Sequence, residues 1–273
     1  MKESILITGC SSGIGYFCAK ELHKMGYIVY STARRDEDVQ RLKKEGLRSF
    51  KLDVTKQEDI ENAVNFIEND NDGKLDILFN NAGFGQPGAL EDLSKDALRE
   101  QFETNVFGNF ALTKAVLKLL RNSSNAKIIQ NSSVLGFVSM PYRGAYNASK
   151  YALEGLSDTL RLELEPFGID VVLIEPGPIR SDFRKNAYVK FKKYITVKGS
   201  FYENSYMQSI ARFQSTKDDP FTLGSDAVYK VLLKIINSKN PKARYRVTFP
   251  TTLFWFLKRV LSTKMLDRIL RNV

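Results

Sequence analysis

The chain of 273 residues is poor in cysteine, histidine and proline, with two, one and eight of them respectively. Cys10 and Cys18 lie close together and form no C-x-x-C motif, so the sequence supports neither a disulfide framework nor a zinc site. The single histidine, His23, excludes every mechanism that needs two imidazoles, and its helical, charged surroundings predict a surface position. We therefore expect no metal site and a reducing, cytoplasmic setting.

Long apolar runs are also missing, since no uninterrupted stretch approaches the roughly 18 residues that a membrane span needs. The first apolar run, residues 4–7, comes too early for a secretory signal to be expected before it. The chain is nevertheless 43% hydrophobic and 26% charged, which excludes disorder and suffices for one sizeable core. Without a repeat or a linker, residues 1–273 are predicted to form a single domain.

The formal net charge of +10 is concentrated in two late segments. Residues 178–200 carry seven Lys or Arg against one acid, and residues 239–273 carry nine against one. The rest of the chain is therefore mildly acidic, and the basicity calls for a local explanation. Nucleic acid is not expected as a partner, because no groove-reading motif accompanies the charge.

Short apolar runs alternate with longer segments of helical period, which is typical of βαβ units. This pattern predicts a Rossmann-type, doubly wound α/β fold, with a mostly parallel sheet and helices on both faces. Strands are expected at residues 4–7, 28–31, 49–52, 75–79, 127–129 and 170–174. Helices are expected at residues 14–25, 37–45, 57–69, 95–121, 145–166, 205–215 and 225–237. The least regular stretch, residues 176–220, suits a mobile flap over a site, and residues 182–221 are expected to cover the substrate.

A glycine-rich turn, TGCSSGIG at residues 8–15, joins the first predicted strand to the first helix. Gly9, Gly13 and Gly15 let the backbone approach a pyrophosphate, whose charge then meets the N-terminus of the helix. Glycines also make tight turns that bind nothing, but this position favours phosphate binding. The candidate cofactor-binding residues of the turn also include Ser11, Ser12 and Ile14.

Two arginines, Arg34 and Arg35, follow the second strand, where dinucleotide-binding folds meet the adenosine ribose. A carboxylate at this point would bind a 2′-hydroxyl and repel a 2′-phosphate, whereas an arginine does the reverse. The pair therefore favours NADP(H) over NAD(H) as the cofactor. The alternative is a solvated arginine pair that opens a loop.

Three motifs occur in an order that resembles the short-chain dehydrogenase/reductase family over about residues 4–182. They are the glycine-rich turn, NNAG at residues 80–83 and YNASK at residues 146–150. Tyr146 and Lys150 stand one helical turn apart, so the lysine cation can stabilise a phenolate whose ordinary pKa is about 10. The resemblance implies that Tyr146 is the catalytic acid and base, and that Lys150 tunes it and holds the nicotinamide ribose.

The same resemblance implies that Ser133 polarises the substrate carbonyl, as a donor in an oxyanion hole does. Ser132 is its neighbour, and spacing alone separates the two. Asn105, within a predicted long helix, matches the family position that stabilises a helix kink and a water leading to the lysine. Asparagine is a poor residue for the middle of a helix, so helix propensity does not account for it.

Further cofactor contacts are implied in three places. Residues 176–181 read PGPIRS where the family has P-G-x-I-x-T, so a serine replaces the final threonine. For Asp53 and Val54, which follow the third predicted strand, the alternative is that they belong to the start of a helix. The implied residues are Pro176, Gly177, Ile179 and Ser181 beside the nicotinamide, Asp53 and Val54 beside the adenine, and Asn81, Ala82 and Gly83 in the cleft wall.

The predicted flap is rich in aromatic residues, which suggests an apolar carbonyl or alcohol as substrate, of aldehyde, ketone, retinoid or steroid type. Alternatively, these rings only pack the flap against the body. They and one methionine are Phe183, Tyr188, Phe191, Tyr194, Phe201, Tyr202, Tyr206, Met207 and Phe213.

The C-terminal tail, residues 251–273, interleaves apolar residues with Lys and Arg. We favour a pair of helices that closes the substrate cleft, with cations on the wet side. A peripheral membrane contact or an acidic carrier protein is the less favoured alternative.

Together these features predict an NADP(H)-dependent oxidoreductase that interconverts a small-molecule carbonyl compound and its alcohol. A 3-ketoacyl reductase acting on carrier-bound thioesters and a non-catalytic NADP-binding sensor are the alternatives. The resemblance further implies a homo-oligomer, a dimer or a tetramer.

Overall fold

The computed structural model describes residues 3–271, and its strands form one fully parallel sheet. The strand order is β3-β2-β1-β4-β5-β6-β7, which confirms the doubly wound α/β prediction. The strands are β1 (Ser4–Ile7), β2 (Ile28–Ala33), β3 (Arg48–Lys51), β4 (Ile77–Asn80), β5 (Lys127–Asn131), β6 (Asp170–Glu175) and β7 (Arg244–Arg246). The chain order reverses between β1 and β4, so the carboxyl ends of these two strands flank a crevice.

Helices cover both faces of the sheet. They are α1 (Gly13–Lys24), α2 (Asp36–Lys44), α3 (Gln57–Asp70), α4 (Lys95–Phe102), α5 (Asn109–Leu120), α6 (Gly144–Leu164), α7 (Phe183–Tyr194), α8 (Glu203–Gln214), α9 (Ser225–Ile236), α10 (Phe249–Val260) and α11 (Thr263–Leu270). Strand β1 contributes to both layers, since Ile5 and Ile7 join the core beneath α1, α2 and α9, whereas Leu6 joins the core beneath α3 and α5. No helix in residues 3–271 is both long and apolar enough to cross a membrane.

Three local predictions differ from the structure. The helix expected at residues 95–121 is interrupted by a π-helical turn, Glu103–Gly108, between α4 and α5. Helix α7 was not predicted, because its sequence FRKNAYVKFKKY shows no clean apolar stripe and buries only Ala187 and Phe191. Strand β7 was also missed, because a three-residue segment RYR lacks any apolar run.

Candidate active site

The glycine-rich turn lies at the crevice, between β1 and α1. Gly9 and Gly13 have φ angles of 73° and 59°, in the left-handed region that side chains disfavour. A Cβ at Gly15 would lie 2.4 Å from the carbonyl oxygen of Gly9, so no larger residue fits there without a shift. Helix α1 has no acidic residue in its first turn, which leaves its N-terminus favourable for an anion.

The loop after β4 is tied to this turn by hydrogen bonds. The hydroxyl oxygen of Thr8 accepts from the backbone N–H groups of Asn81 and Ala82, each at 2.9 Å. The side chain of Asn81 donates to the carbonyl oxygen of Thr8 at 2.9 Å. The structure therefore brings two of the predicted cofactor segments into direct contact.

The loop after β6 completes the same rim. A Cβ at Gly13 would lie 2.9 Å from the Cβ of Ser181, so the glycine-rich turn and this loop are neighbours. At Gly177, a Cβ would lie 2.2 Å from the Thr248 hydroxyl oxygen, which places the start of α10 against the loop. Pro176 accepts a hydrogen bond from the N–H of Val134 at 2.8 Å and so connects the loop to β5.

A cavity of about 290 Å³ lies beside the turn, lined by Ser11, Arg34, Arg35, Asp38 and Asp53. Arg35 is occupied by acidic neighbours, with its Nε 2.8 Å from Asp38 and an Nη 2.9 Å from Glu37. Within the described part of the chain, Arg34 forms no hydrogen bond or ion pair. It is therefore the arginine whose charge faces this cavity without a carboxylate partner.

Two predicted adenine-side residues have structural roles. The carboxylate of Asp53 accepts from the N–H and the hydroxyl of Thr55, at 3.0 and 2.8 Å, in an Asx-type turn. Val54 is buried, and a Cβ at Gly108 would lie 2.6 Å from its carbonyl oxygen. Asp53 still borders the cavity, while Val54 links the wall of the cleft to the π-helical turn.

Tyr146, near the start of α6, packs edge to face against Phe183 at 5.3 Å between ring centroids. Burial raises the pKa of Tyr146 to about 12, although hydrogen bonding with Ser133 and the positive charge of Arg143 both lower it. The phenol is thus protonated at neutral pH and able to donate. Gly85 leaves room for this pair of rings, because a Cβ there would lie 2.8 Å from Phe183.

Lys150 lies one turn after Tyr146, with its Nζ 5.7 Å from the centroid of the tyrosine ring. The ammonium donates to the backbone carbonyl of Asn131 at 2.7 Å. Burial lowers the pKa of Lys150 to about 8, while the charge of Glu154 opposes this shift. Lys150 is therefore mainly cationic at neutral pH and is held at the end of β5.

The two serines after β5 have different partners. Ser132 donates its hydroxyl to Glu154, which itself receives a hydrogen bond from Arg244 at 3.0 Å. Ser133 interacts with the hydroxyl of Tyr146, and its oxygen also accepts from the N–H of Leu135 at 3.1 Å. The contacts thus distinguish the two serines, which the sequence distinguishes by spacing alone.

Asn105 is fully buried in the π-helical turn and joins the loop after β4 to helix α6. Its oxygen accepts from the N–H of Phe84 at 3.1 Å. Its amide donates to the carbonyl of Phe84 at 3.0 Å and to the hydroxyl of Ser149 at 3.1 Å. Gly83 lies directly beneath, since a Cβ there would be 3.1 Å from the Asn105 oxygen.

Most aromatic residues of the predicted flap pack on one another rather than around Tyr146. Tyr206 is fully buried, and its hydroxyl accepts from the N–H of Ala89 at 2.9 Å. Rings of Phe191 and Tyr188 pack on Phe213 at 5.7 and 5.5 Å. Of these rings, Phe183 contacts Tyr146. Much of the rest of the set packs within the protein, as in the alternative to a substrate lining.

Sequence reasoning missed three residues around the site. Arg143, at the N-cap of α6, is half-buried and close enough to influence Tyr146. Glu154, one turn after Lys150, acts on the lysine charge, and Asn131 fixes its ammonium. Arg143 and Glu154 could have been found from the sequence, because they stand three residues before Tyr146 and four residues after Lys150 on α6. The contact of Asn131 is made by its backbone carbonyl and therefore has no sequence signal.

A family model described as short chain dehydrogenase matches residues 3–190. An "uncharacterized oxidoreductase YbbO" of Escherichia coli is 39% identical, over 100% of this chain and 95% of its own length. A "3-ketodihydrosphingosine reductase" of Bacteroides thetaiotaomicron is 36% identical, over 98% and 97%. An "NADPH-dependent 1-acyldihydroxyacetone phosphate reductase" of Saccharomyces cerevisiae is 32% identical, over 98% and 93%.

Among solved structures, a short-chain dehydrogenase from Streptomyces avermitilis matches with a TM-score of 0.78 and 27% identity, covering 95% of this chain and 93% of that one. The chain therefore belongs to the short-chain dehydrogenase/reductase family and is an oxidoreductase. This confirms the family and the enzyme class that the motifs predicted.

Proposed function

We propose that the chain is an NADP(H)-dependent reductase that interconverts an apolar ketone or aldehyde and its alcohol, with Tyr146 as the general acid. The observation that carries this proposal is the cluster of Tyr146, Ser133 and Lys150, where β5 ends and α6 begins. Hydrogen bonds through Asn131 and Asn81 connect this cluster to the glycine-rich turn.

The residues present fit a dinucleotide with a 2′-phosphate. The left-handed Gly9 and Gly13 make the cradle that a pyrophosphate needs, and the cavity beside them presents the unpaired guanidinium of Arg34. Two carboxylates line that cavity: Asp38 is offset by Arg35 at 2.8 Å and Arg41 at 3.4 Å, and Asp53 accepts hydrogen bonds from Thr55. The name of the yeast relative, which includes NADPH dependence, supports the same cofactor.

In the direction of reduction, the glycine-rich turn and Arg34 would hold NADPH, which when bound would be the source of the hydride for the carbonyl carbon. Tyr146 donates its phenolic proton to the carbonyl oxygen, which its raised pKa allows at neutral pH. Ser133 donates a hydrogen bond to the same oxygen, where negative charge develops. The Lys150 cation, held by Asn131, stabilises the phenolate that Tyr146 leaves behind.

An apolar substrate is supported by the surroundings of Tyr146. The ring belongs to a cluster with Val134, Leu135 and Val138 and contacts Phe183 on its other side. Two relatives have names that place a ketone in the substrate, 3-ketodihydrosphingosine and an acyldihydroxyacetone phosphate. A lipid-like ketone or aldehyde suits this lining.

A carrier-bound 3-ketoacyl thioester is less well supported, because its evidence was the basic late segments. Several cations of residues 178–200 are paired within the chain. Lys190 and Lys193 bind Glu100, and Arg184 lies 2.9 Å from Asp219. These side chains therefore offer less free charge to an acidic carrier than the composition indicated.

We further propose that the enzyme pairs with copies of itself through α5 and α6, as a dimer or tetramer. Large apolar side chains stay exposed on or beside these helices at Phe107, Phe110, Leu156 and Leu162. Exposed apolar residues in such a group are typical of an oligomer interface.

Substitution of the proton donor tests the proposed reaction. Tyr146→Phe should lower turnover of a broad panel of aldehydes and ketones by at least about 100-fold, while NADPH binding measured by fluorescence changes little. Tyr151→Phe, on the next turn of α6, is the matched control and should keep activity. Full turnover by Tyr146→Phe would show that another group supplies the proton, and NADPH binding without any turnover by the unmodified protein would instead indicate a sensor.

A further inference from the structure

Helix α10 has apolar side chains on two sides, although only one side packs against the rest of the protein. The inner stripe includes Phe254 and Leu257, which pack on Val134, Leu135 and Val138. The outer stripe repeats at intervals of four, three and four residues, which places its members on one side of the helix. Its members are Phe249, Leu253, Phe256 and Val260, whose exposed fractions are 60, 38, 54 and 56%.

Helix α11 repeats this arrangement. Leu266 and Leu270 are buried in the same cluster as Phe254, while Met265 and Ile269 are 51% and 39% exposed. Phe221 extends the exposed set, because its ring packs on that of Phe249 at 5.3 Å and is itself 62% exposed. We call these seven side chains the outer face: Phe221, Phe249, Leu253, Phe256, Val260, Met265 and Ile269.

Closure of the substrate cleft accounts for the inner stripe but not for the outer face. The inner residues share a cluster with Tyr146, so the tail packs near the proposed proton donor. The outer face, by contrast, leaves seven large apolar side chains in water. A grouped exposure of this kind is typical of a surface that meets a partner.

The charges around the outer face are almost all positive. Residues 248–271 contain five basic residues, Lys258, Arg259, Lys264, Arg268 and Arg271, and one acidic residue, Asp267. Arg246 and Arg259 also lie over the ring of Trp255, at 4.0 and 3.7 Å from its centroid. The surface therefore combines aromatic and aliphatic side chains with an excess of cations.

We propose that the outer face docks on the surface of an anionic phospholipid bilayer, with α10 and α11 lying in the interface. Amphipathic helices that bind to this interface typically combine Phe and Trp with Lys and Arg. A second copy of the chain is disfavoured as the occupant, because apposed outer faces would bring like charges together. The anionic lipid headgroups complement the cations of this segment, apart from Lys258, whose ammonium donates to the carbonyl of Phe137 beside the inner stripe. The acyl region takes the apolar side chains.

This docking would place the substrate cleft next to the membrane. The inner and outer stripes are two sides of the same helix, and the inner one packs on the segment that follows Ser133. If the proposed function holds, the substrates would then include carbonyl compounds dissolved in a bilayer. The docking itself does not depend on the reaction, so binding and turnover can fail separately.

Sedimentation with vesicles tests the docking. The full chain should bind vesicles of phosphatidylcholine mixed with phosphatidylglycerol, bind vesicles of phosphatidylcholine alone more weakly, and lose affinity as salt is added. The double variant Phe256→Ser, Val260→Ser should bind the mixed vesicles about tenfold more weakly, because two apolar anchors are lost. Phe201→Ser is the matched control, since that side chain is 97% exposed but lies outside the outer face.

Three results would overturn the inference: no binding of the unmodified chain to the mixed vesicles, equal binding of the double variant, or a lower oligomer mass for the double variant in light scattering without lipid. The last result would assign the outer face to a second copy. Reduction of a water-soluble aldehyde and the melting temperature should be unchanged in the double variant. If it does not fold, Met265→Ser on α11 replaces it, with a smaller expected loss of binding.

Discussion

At the scale of single residues, identical side chains differ because of their neighbours. Arg34 and Arg35 are adjacent, but Asp38 and Glu37 hold Arg35, whereas Arg34 faces the cavity unpaired. Ser132 and Ser133 are likewise adjacent, and only Ser133 interacts with Tyr146. Which member of each pair can act on a ligand is therefore a matter of local contacts rather than of residue type.

The arginine pair leads to a prediction on cofactor preference. Arg34→Ser should weaken the binding of NADPH by about 10- to 100-fold and leave the binding of NADH almost unchanged, because one charge-assisted contact with the 2′-phosphate is lost. Arg35→Ser is the matched control and should have a smaller effect. Steady-state kinetics with both cofactors measure the difference, and equal losses for NADPH and NADH would remove the assignment of Arg34.

At the scale of elements, the π-helical turn between α4 and α5 is the irregular feature that shapes the site. It lets Asn105 face inward and satisfy both backbone groups of Phe84, in the loop that follows β4. π-helical turns inside α-helices are frequently found at functional sites. The turn also brings Gly108 against Val54, so the helix and the loop after β3 support each other.

Removing the Asn105 side chain should loosen this junction. Asn105→Ala leaves the buried N–H of Phe84 without its acceptor, and we expect a loss of about 1–3 kcal/mol in the free energy of unfolding. Urea denaturation measures the loss, and faster hydrogen exchange at the Phe84 amide localises it. Asn65→Ala, on the exposed side of α3, should change stability by less than about 0.5 kcal/mol. Unchanged exchange at Phe84 would contradict the proposed role.

At the scale of the whole molecule, a partly buried charge cluster joins the sheet edge to helix α6. Arg244 of β7 donates to Glu154 at 3.0 Å and to Asp158 at 2.7 Å, and it lies 3.3 Å from Glu175 of β6. Burial and the charge of Glu154 raise the pKa of Glu175 to about 7, although Arg244 opposes the shift. Among residues 3–271, the Oε2 atom of Glu175 finds no hydrogen-bond partner, which agrees with the raised pKa.

The raised pKa of Glu175 predicts a pH-dependent stability with a definite sign. Between its ordinary value of 4.5 and about 7, the folded chain binds this proton and the unfolded chain does not. The free energy of unfolding should therefore fall as the pH rises from about 5 to about 8, by about 1–3 kcal/mol.

Glu175→Gln should remove this component, whereas Glu163→Gln, at an exposed position on α6, should keep it. Urea denaturation of the three proteins at a series of pH values compares them. Parallel curves for the unmodified chain and Glu175→Gln would show that Glu175 does not titrate as described.

Much of the fold and of the candidate site could be predicted from the sequence because its signals are local. Buried parallel strands appear as short apolar runs, a left-handed turn requires glycines, and residues four apart on a helix share a face, as Tyr146 and Lys150 do. The family order of these motifs then pointed to the oxidoreductase class. The assigned catalytic roles remain predictions that the substitutions above address.

Only the tertiary structure decided what depends on distant neighbours. Within the described residues, Arg35 is paired with carboxylates and Arg34 is not, and Ser132 donates to Glu154. Strand β7 pairs with β6 through its backbone, and Arg244 contacts Glu175 of β6 and Glu154 of α6. The two stripes of α10 look alike in composition, and packing alone makes one a core and the other a surface. Periodicity is a property of a single segment, whereas burial and pairing are properties of the contacts between segments, so the sequence by itself determined the former and the folded chain the latter.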